Sequence, residues 1–402
     1  MSAPLEGIRV VEIASFVAAP SGGALLADLG AEVIKVEVPE GEIYRHTRPH
    51  MGGYKSDFAG APPFEMDNRG KRSLALDLTR PEARDALRRV ITGADVVLTN
   101  LLPGRQRKYG LDPDSLRAGQ PRLIHATLNG YGVRGEEADA PAFDYTAYWS
   151  RTGMMDMFRP PGAPPAYLRP GVGDHAAGIS LVAGILAALR VRDRTGEGQA
   201  IEVSLLQIGL YIQGNDMANV LATGQSPPMH DRNAPRNPLW NYYPTADGRW
   251  LFLVMVESQR YWPNVCRALE LGELEHDERF ADVVARYRNS RALVERLDAV
   301  FGARTLAEWE VELRRHALIW APVRRMHELI DDPQVAAMGY WSTVDHPELG
   351  RFKSVGPPFR MSAHAMPASR PAPALGGDNA AILKEAGLSP EEIAAVGRRE
   401  PA

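Results

Sequence analysis

The chain has 402 residues, 45% of them hydrophobic and 24% charged, which is the composition of an ordinary globular protein of about two domains. A formal net charge of −4 gives no overall attraction to nucleic acid or to an anionic membrane, so neither is expected as a partner. The single cysteine, Cys266, excludes an internal disulfide and a multi-cysteine metal site, and no metal is expected. The N-terminus lacks a signal-peptide pattern, and the uncharged apolar run at 176–189 is shorter than the ~20 residues that span a bilayer. We therefore expect a cytoplasmic enzyme or binding protein.

Strand and helix patterns alternate along the first 130 residues. Strands are predicted at 8–14, 32–37, 74–78, 94–100 and 123–128, with helices between several of them. This alternation predicts an α/β fold with a parallel, doubly wound sheet. Small residues at 18–23 follow the first strand, where such sheets bind phosphorylated ligands. The fingerprint GxGxxG is absent there, so a nicotinamide dinucleotide is not expected.

Two groups of basic residues fall at predicted strand ends or on connections. The groups are Arg69, Lys71 and Arg72, and Arg105, Arg107 and Lys108. Ligands of parallel sheets sit at the carboxyl ends of the strands, so both groups could face a polyanionic ligand. A solvated surface explains such clusters equally well, and the residues alone leave both interpretations open.

Asp174 lies between a glycine-rich turn and a long apolar helix. Gly171 and Gly173 allow backbone angles closed to other residues, and 176–189 has neither charge nor proline, as in a buried helix. Aspartate at such a position is either an N-cap, worth about 1 kcal/mol, or a carboxylate nucleophile that the helix dipole keeps ionised.

The composition changes after about residue 222, where a polar, proline-rich stretch begins. We predict a first domain at 1–222 and a smaller α+β domain at 223–325. Residues 326–402 form a partly extended return connection that ends in helices. Two capping boxes are predicted, Thr79 with Glu82 and Ser389 with Glu392, each opening a helix.

Several short motifs follow one another along nearly the whole chain. They are PLEGIRVVEIASFVAAP (4–20), LLADLGAEVIKVE (25–37), NRGKRS (68–73), VVLTNLLPG (96–104), FDYTA (143–147), VGDHAAG (172–178), GEGQAIEVSLL (196–206) and DERFADVVARYRNS (277–290). In this order and spacing, the chain resembles the family III CoA-transferases. That superfamily includes formyl-CoA transferase, carnitine CoA-transferase and α-methylacyl-CoA racemase.

The resemblance implies a Rossmann-like large domain, built from both chain ends, with the small domain between them. It implies an interlocked homodimer, in which each active site lies between subunits, and coenzyme A as part of the acyl-CoA substrate. By position, Asp174 matches the nucleophilic aspartate of the family. The residues that match CoA contacts are Phe16, Val17, Ala18, Asn68, Lys71, Asn100, Leu101 and Lys108.

The implied reaction moves CoA from an acyl-CoA donor to a carboxylic acid, through an aspartyl mixed anhydride and an aspartyl-CoA thioester. A racemase is the first alternative, but it needs a histidine where this chain has Phe143. His175 is a poor opposing base beside Asp174, because consecutive helical side chains point about 100° apart. Asp144 is either a second catalytic acid or a structural acceptor. A CoA-binding protein without catalysis is a further alternative.

Overall fold

A computed structural model describes residues 3–364 and 370–397. The chain folds into two units. The first comprises the described parts of Met1–Met157, Ala166–Pro227 and Met338–Ala402, and the second comprises Phe158–Pro165 and Pro228–Ala337.

The first unit begins with alternating strands and helices. In chain order they are β1 (Arg9–Ile13), α1 (Ala18–Asp28), β2 (Glu32–Glu37), α2 (Pro62–Asn68), β3 (Arg72–Ala75), α3 (Pro81–Thr92), β4 (Val96–Thr99), α4 (Pro103–Tyr109), α5 (Pro113–Arg117), β5 (Ile124–Asn129), α6 (Met154–Met157), α7 (Val172–Thr195), β6 (Ala200–Ser204), α8 (Leu205–Ile212) and α9 (Gly214–Thr223). Short 3₁₀ segments cover Ile43–His46 and Pro49–Gly52, and a π-helical segment covers Tyr145–Ser150.

The remaining elements divide between the two units. The second unit contains β7 (Trp240–Pro244), β8 (Trp250–Val254), α10 (Ser258–Ala268), α11 (Gly272–Glu275), α12 (Val283–Arg288), α13 (Ser290–Phe301), α14 (Leu306–Arg315), β9 (Trp320–Pro322) and a 3₁₀ segment at Met326–Asp331. Helix α15 (Pro333–Met338) leads out of it. The first unit then adds β10 (Trp341–His346), β11 (Gly350–Val355), α16 (Asn379–Glu385) and α17 (Pro390–Gly397).

The first unit is organised around a six-stranded parallel sheet of order β3-β2-β1-β4-β5-β6. The predicted α/β class with a parallel sheet is therefore confirmed. This is the doubly wound order, in which the direction of winding reverses between β1 and β4. Crevices form where neighbouring connections leave in opposite directions, so this position is the expected ligand site.

Both faces of the sheet are covered, which explains why its strands are apolar runs. Val10 of β1 faces a core that includes residues of α1 and α7, whereas Val11 faces a core formed with α3, α16 and α17. The C-terminal helices thus complete the unit that the N-terminus begins.

Helices α1 and α7 pack closely against each other, because glycines stand at their crossing. A Cβ on Gly178 would lie 2.2 Å from Ser21 Oγ and 2.8 Å from the Ala18 carbonyl oxygen, and a Cβ on Gly22 would lie 3.2 Å from the Gly178 carbonyl oxygen. By length and composition alone, the whole of α7 could cross a membrane. Excluding a membrane span because the run at 176–189 is too short was therefore wrong. The helix extends beyond the apolar run to Thr195, and its buried side belongs to the core with α1.

The second unit has a three-stranded antiparallel sheet of order β7-β8-β9. Its apolar core includes the buried Cys266, as expected for a packing residue. The main segment of this unit runs from 228 to 337, whereas composition indicated 223–325. The later end has a physical reason, since Glu328 pairs with Arg249 at 2.8 Å and keeps the 3₁₀ segment on this unit.

Some local predictions were wrong. Strand β3 begins at Arg72 rather than at 74, and Thr79 binds Asp77 instead of capping α3, whose N-cap is Arg80. The predicted connection after 326 contains the antiparallel hairpin of β10 and β11. The capping box of Ser389 and Glu392 is confirmed by both hydrogen bonds.

The glycine crossing predicts that Gly178→Ala destabilises the protein. The added methyl group meets backbone and side-chain atoms of α1, and overpacking of this kind costs about 1–3 kcal/mol of the free energy of unfolding. Denaturant unfolding measures the loss. Gly214→Ala is the matched control, because a Cβ there meets nothing within 4 Å. Equal stability of the two variants would contradict the close packing.

Candidate active site

A small cavity of about 90 Å³ lies where α1 and α7 begin, beside the ends of β4 and β5. Its wall is mostly apolar, with Asp174 as the one ionisable side chain. The lining residues are Ser15, Phe16, Val17, Ala18, Asn100, Leu102, Leu128, Asn129, Gly130, Ala142, Phe143, Asp174 and Leu205. The predicted nucleophile and the predicted residues Phe16, Val17, Ala18 and Asn100 therefore meet in one place.

A larger cavity of about 430 Å³ shares Ser15, Phe16 and Asn100 with the small one. It lies at the carboxyl ends of β1 to β4, the switch point of the sheet. Leu101 and Arg105 also line it. Lys108 is exposed and lines neither cavity, so Arg105, one turn earlier on α4, is the better-placed cation.

The turn between β1 and α1 is strained and held in place. Phe16 has a φ of 65°, a left-handed conformation that costs a non-glycine residue about 1–2 kcal/mol. Asn100 fixes the preceding residue, accepting from the Ser15 N–H at 3.2 Å and donating to the Ser15 carbonyl at 2.8 Å. The Phe16 N–H donates to Glu42. The Asn100 side chain therefore shapes the turn, and both its amide oxygen and its amide nitrogen are hydrogen-bonded.

Asp174 is not the N-cap of α7. Gly171 occupies that position with a φ of 86°, and Asp174 lies in the first helical turn. Burial raises the pKa of Asp174 to about 7, the nearby carboxylates Asp144 and Asp67 also raise it, and His175 opposes them. Burial and these like charges therefore oppose the helix dipole, which was expected to keep this carboxylate ionised.

The turn before Asp174 is held by contacts to both the N–H and the carbonyl of Gly171. The Gly171 N–H donates to Asp144 Oδ2 at 2.7 Å, and the Gly171 carbonyl faces His175 Nδ1 at 2.7 Å. His175 Nε2 lies 3.0 Å from Asp67 Oδ1. Asp144 is only 2% exposed, and burial raises its pKa. Asp144 therefore acts as a hydrogen-bond acceptor for the turn. His175 is engaged at both ring nitrogens, although 37% of its side chain is exposed.

Asn68 and Lys71 are buried instead of facing a ligand. Lys71 Nζ contacts Glu12 Oε2 at 2.7 Å, Asn68 Oδ1 at 2.8 Å and the Pro20 carbonyl at 2.9 Å, which engages all three of its protons. Lys35 lies 3.2 Å from the other oxygen of Glu12. In the described chain these two side chains point to the buried Glu12 and to each other, so their CoA contact, implied by the resemblance, stays a prediction.

Three further residues near Asp174 were not predicted to belong to the site. Glu42 and Tyr44 lie in the aperiodic stretch after β2, which carries no pattern, and Asp67 directly precedes the NRGKRS motif. Carboxylates at Asp67, Asp174 and Glu42 all raise the pKa of the Tyr44 hydroxyl, after burial, which is the largest cause. A histidine next to Asp174 was the one available signal that this cluster needs a positive charge.

A cavity at the switch point of a doubly wound sheet, with the half-buried Asp174 carboxylate beside it, is the usual place for a ligand site in an α/β protein. Comparison with known proteins identifies the family: the chain belongs to CoA-transferase family III, whose profile matches residues 5–379. The resemblance of the sequence motifs is therefore confirmed, and the protein is an enzyme that transfers CoA.

Named relatives cover almost the whole chain. It is 32% identical to (R)-2-hydroxy-4-methylpentanoate CoA-transferase of Clostridioides difficile, over 97% of either chain. It is 34% identical to succinate–glutarate CoA-transferase of Agrobacterium fabrum, over 95% of either chain. A crystal structure of a CAIB/BAIF family protein from Brucella suis is 31% identical, with a TM-score of 0.84, and the match covers 96% of this chain and 100% of that one.

The buried position of Lys71 predicts that Lys71→Met lowers stability rather than removing a CoA ligand. Breaking a buried ion pair from one side costs about 3–5 kcal/mol of the free energy of unfolding, since Glu12 then loses its closest partner. Thermal and denaturant unfolding measure this loss. Lys108→Met removes an exposed lysine and is expected to leave stability unchanged. A Lys71→Met protein of normal stability with weakened CoA binding would contradict the assignment.

Proposed function

We propose that Asp174 is the nucleophile through which the enzyme passes CoA from an acyl-CoA donor to a carboxylic acid acceptor. The observation that carries the proposal is its position as the one ionisable side chain lining the small cavity. That cavity shares Phe16 and Asn100 with the larger cavity at the switch point, so a thioester could reach Asp174 from a nucleotide bound there.

The reaction divides one exchange into steps of similar energy, which is the benefit of covalent catalysis. The Asp174 carboxylate attacks the donor thioester, the C–S bond breaks, and a mixed anhydride and CoA thiolate form. The thiolate attacks the aspartyl carbonyl and displaces the donor carboxylate, leaving an aspartyl-CoA thioester. The acceptor carboxylate then displaces CoA thiolate to form a second anhydride. Attack of the thiolate on the acceptor acyl carbon gives the new acyl-CoA and restores Asp174.

The start of α1 supports stabilisation of the oxyanions in these steps. The first hydrogen bond of this helix runs from the Ser21 N–H to the Val17 carbonyl, so the N–H groups of Ala18 and Ala19 precede the helical ladder. Val17 and Ala18 line the cavity with Asp174. Backbone donors at a helix N-terminus, aimed at developing negative charge, suit this chemistry.

The larger cavity suits the nucleotide part of CoA. It lies at the carboxyl ends of the strands around the switch point, and Phe16 and Leu101 contribute apolar surface. Arg105 lines it, and a guanidinium matches phosphate oxygens geometrically. We assign the phosphate contact to Arg105, since Lys71 is committed to Glu12.

A racemase is disfavoured by the same cavity. Exchange of an α-proton needs proton carriers at two faces of the substrate. Phe143 lines the wall beside Asp174 and carries no exchangeable proton, and the other lining residues of the small cavity have no ionisable side chain. CoA transfer needs only the one carboxylate.

The nucleophile assignment predicts that Asp174→Asn abolishes CoA transfer, while an acyl-CoA donor labels Asp174 of the unaltered enzyme. Hydroxylamine or borohydride traps the activated aspartate, and mass spectrometry of peptides locates the change. The attacking group must be ionised, so kcat/KM is expected to fall about tenfold per pH unit well below pH 7, following the raised pKa of Asp174.

Asp144→Asn serves as the comparison in the trapping experiment. It retains a side-chain oxygen for the Gly171 N–H, and we expect Asp174 to remain labelled in it. An unlabelled enzyme that exchanges the α-proton of an acyl-CoA with deuterated water would refute the transferase mechanism and favour a racemase.

We further propose that the protein is an interlocked homodimer, with each active site between subunits. Apolar side chains on three successive helices remain exposed in the single chain: Ile179 and Leu186 of α7, Leu210, Tyr211 and Ile212 of α8, and Leu221 of α9. An apolar surface of this extent is typical of an interface between subunits.

The dimer predicts a molar mass of twice 44.1 kDa by light scattering after size exclusion. Leu221→Glu places a charge on the exposed apolar surface and is expected to weaken association, whereas Leu375→Glu alters an exposed leucine outside this surface. Monomeric protein with full activity would contradict the proposal.

A further inference from the structure

His175 is held at both of its ring nitrogens. Nδ1 lies 2.7 Å from the Gly171 carbonyl oxygen, and Nε2 lies 3.0 Å from Asp67 Oδ1. A carbonyl oxygen can only accept, and so can an ionised carboxylate. A neutral imidazole has one donor, so satisfying both contacts requires the imidazolium form, with a proton on each nitrogen.

Asp67 is the counter-charge for this ring. Its carboxylate is buried, with the residue only 1% exposed, and Oδ2 has no hydrogen-bond partner in the part of the chain that the structure describes. A buried carboxylate with one unengaged oxygen depends strongly on its remaining partner. Burial alone favours the neutral form of His175, but the hydrogen bond and charge of Asp67 outweigh it, so the pKa of the ring is raised.

We propose that Asp67 and His175 form a positioning pair, which fixes the turn at Gly171 and supplies the positive charge that keeps Asp174 available as a nucleophile. The inference rests on the proposed role of Asp174. His175 itself stays bonded to Gly171 and Asp67, and it transfers no proton in the reaction.

The charges around Asp174 explain why such a pair is needed. Two carboxylates, Asp144 and Asp67, raise the pKa of Asp174, and the neighbouring His175 is the cation that lowers it. Tyr44 faces Asp67 and Asp174 without carrying a positive charge, and the buried Lys71 acts on Asp67 while it is bound to Glu12. Loss of the imidazolium would leave Asp174 among like charges in a buried site.

The pair also connects two parts of the chain that are distant in sequence, at the turn that orients Asp174. Asp67 lies in α2, and His175 lies in the first turn of α7 next to Asp174. Through the ring, α2 holds the Gly171 carbonyl, while Asp144 holds the Gly171 N–H. The left-handed turn that sets the direction of Asp174 is therefore fixed at both of its peptide groups.

The test compares pH–rate profiles of the full-length enzyme and of His175→Gln. The glutamine amide can donate one hydrogen bond but carries no charge. We expect the acidic limb of kcat/KM to move to higher pH by about one unit, the scale for loss of one opposite charge nearby, with about a tenfold loss near pH 6 that recovers above pH 8.

The control is His316→Gln in the second unit, which removes a histidine that also pairs with a carboxylate, Glu312, at 2.9 Å. Its profile is expected to coincide with that of the unaltered enzyme. A purely structural role for His175 would lower the rate equally at every pH without moving the limb, and that result would overturn the charge role.

A second measurement does not depend on the activity of the variant. ¹⁵N-labelled histidine in the unaltered enzyme should show one ring that stays protonated at both nitrogens above the ordinary histidine pKa of about 6.5, and His175→Gln assigns that signal. In Asp67→Asn the same ring should titrate at lower pH by about one unit or more, because it has lost its counter-charge. A His175 ring that loses its second proton at or below that ordinary pKa in the unaltered enzyme would overturn the inference.

The two proposals fail in different ways. Absence of a trapped Asp174 would remove the nucleophile, whatever the histidine spectrum shows. A trapped Asp174 combined with an unmoved limb in His175→Gln would leave the nucleophile in place and remove the pair.

Discussion

The contact between α1 and α7 is the constraint on which the site depends. Gly22 lies one helical turn after Ala18, and Gly178 lies one turn after Asp174, so the two helices touch one turn beyond each of these residues. Backbone-to-backbone contact is possible there only without side chains. The crossing therefore brings the starts of two helices to one cavity, with the Asp174 carboxylate on α7 and the N–H groups that precede the helical ladder on α1.

This arrangement places acidic groups close together in a setting that resists their ionisation. Burial raises the pKa of Asp174, and the charges of Asp144 and Asp67 raise it further. The structure offsets the cost with specific partners: the Gly171 N–H binds Asp144, and His175 binds Asp67. The result is an Asp174 carboxylate with a pKa of about 7, which makes it more basic than a carboxylate in water.

The local sequence pattern was enough to predict the parallel sheet, because the apolar strands and the helices between them each show a clear pattern within a few neighbouring residues. It also singled out Asp174, through the glycines and the apolar helix that surround it. The burial of Lys71 could not be predicted in this way. A lysine in a basic run looks solvated, and its partner Glu12 stands in the middle of an apolar strand far away in the chain.

The same limit explains the residues that were missed. Glu42 and Tyr44 belong to an aperiodic segment whose position depends on tertiary contacts, such as the Phe16 N–H bond to Glu42. The hairpin of β10 and β11 has few buried side chains, so its alternation of apolar and polar residues is faint. The resemblance to a family supplied the activity, but it assigned Asn68 and Lys71 by position without knowing which way they face.

The strained turn at Phe16 has a consequence for how this enzyme can diverge. Phe16 lines both cavities and packs edge-on against Phe143, with ring centroids 5.2 Å apart. Glycine at this position would relax the backbone but delete the ring that stands between the two spaces, whereas most other side chains would keep the strain and reshape the wall. Few replacements at Phe16 are therefore neutral, and a change at this one position alters the backbone conformational energy and the shape of both cavities together.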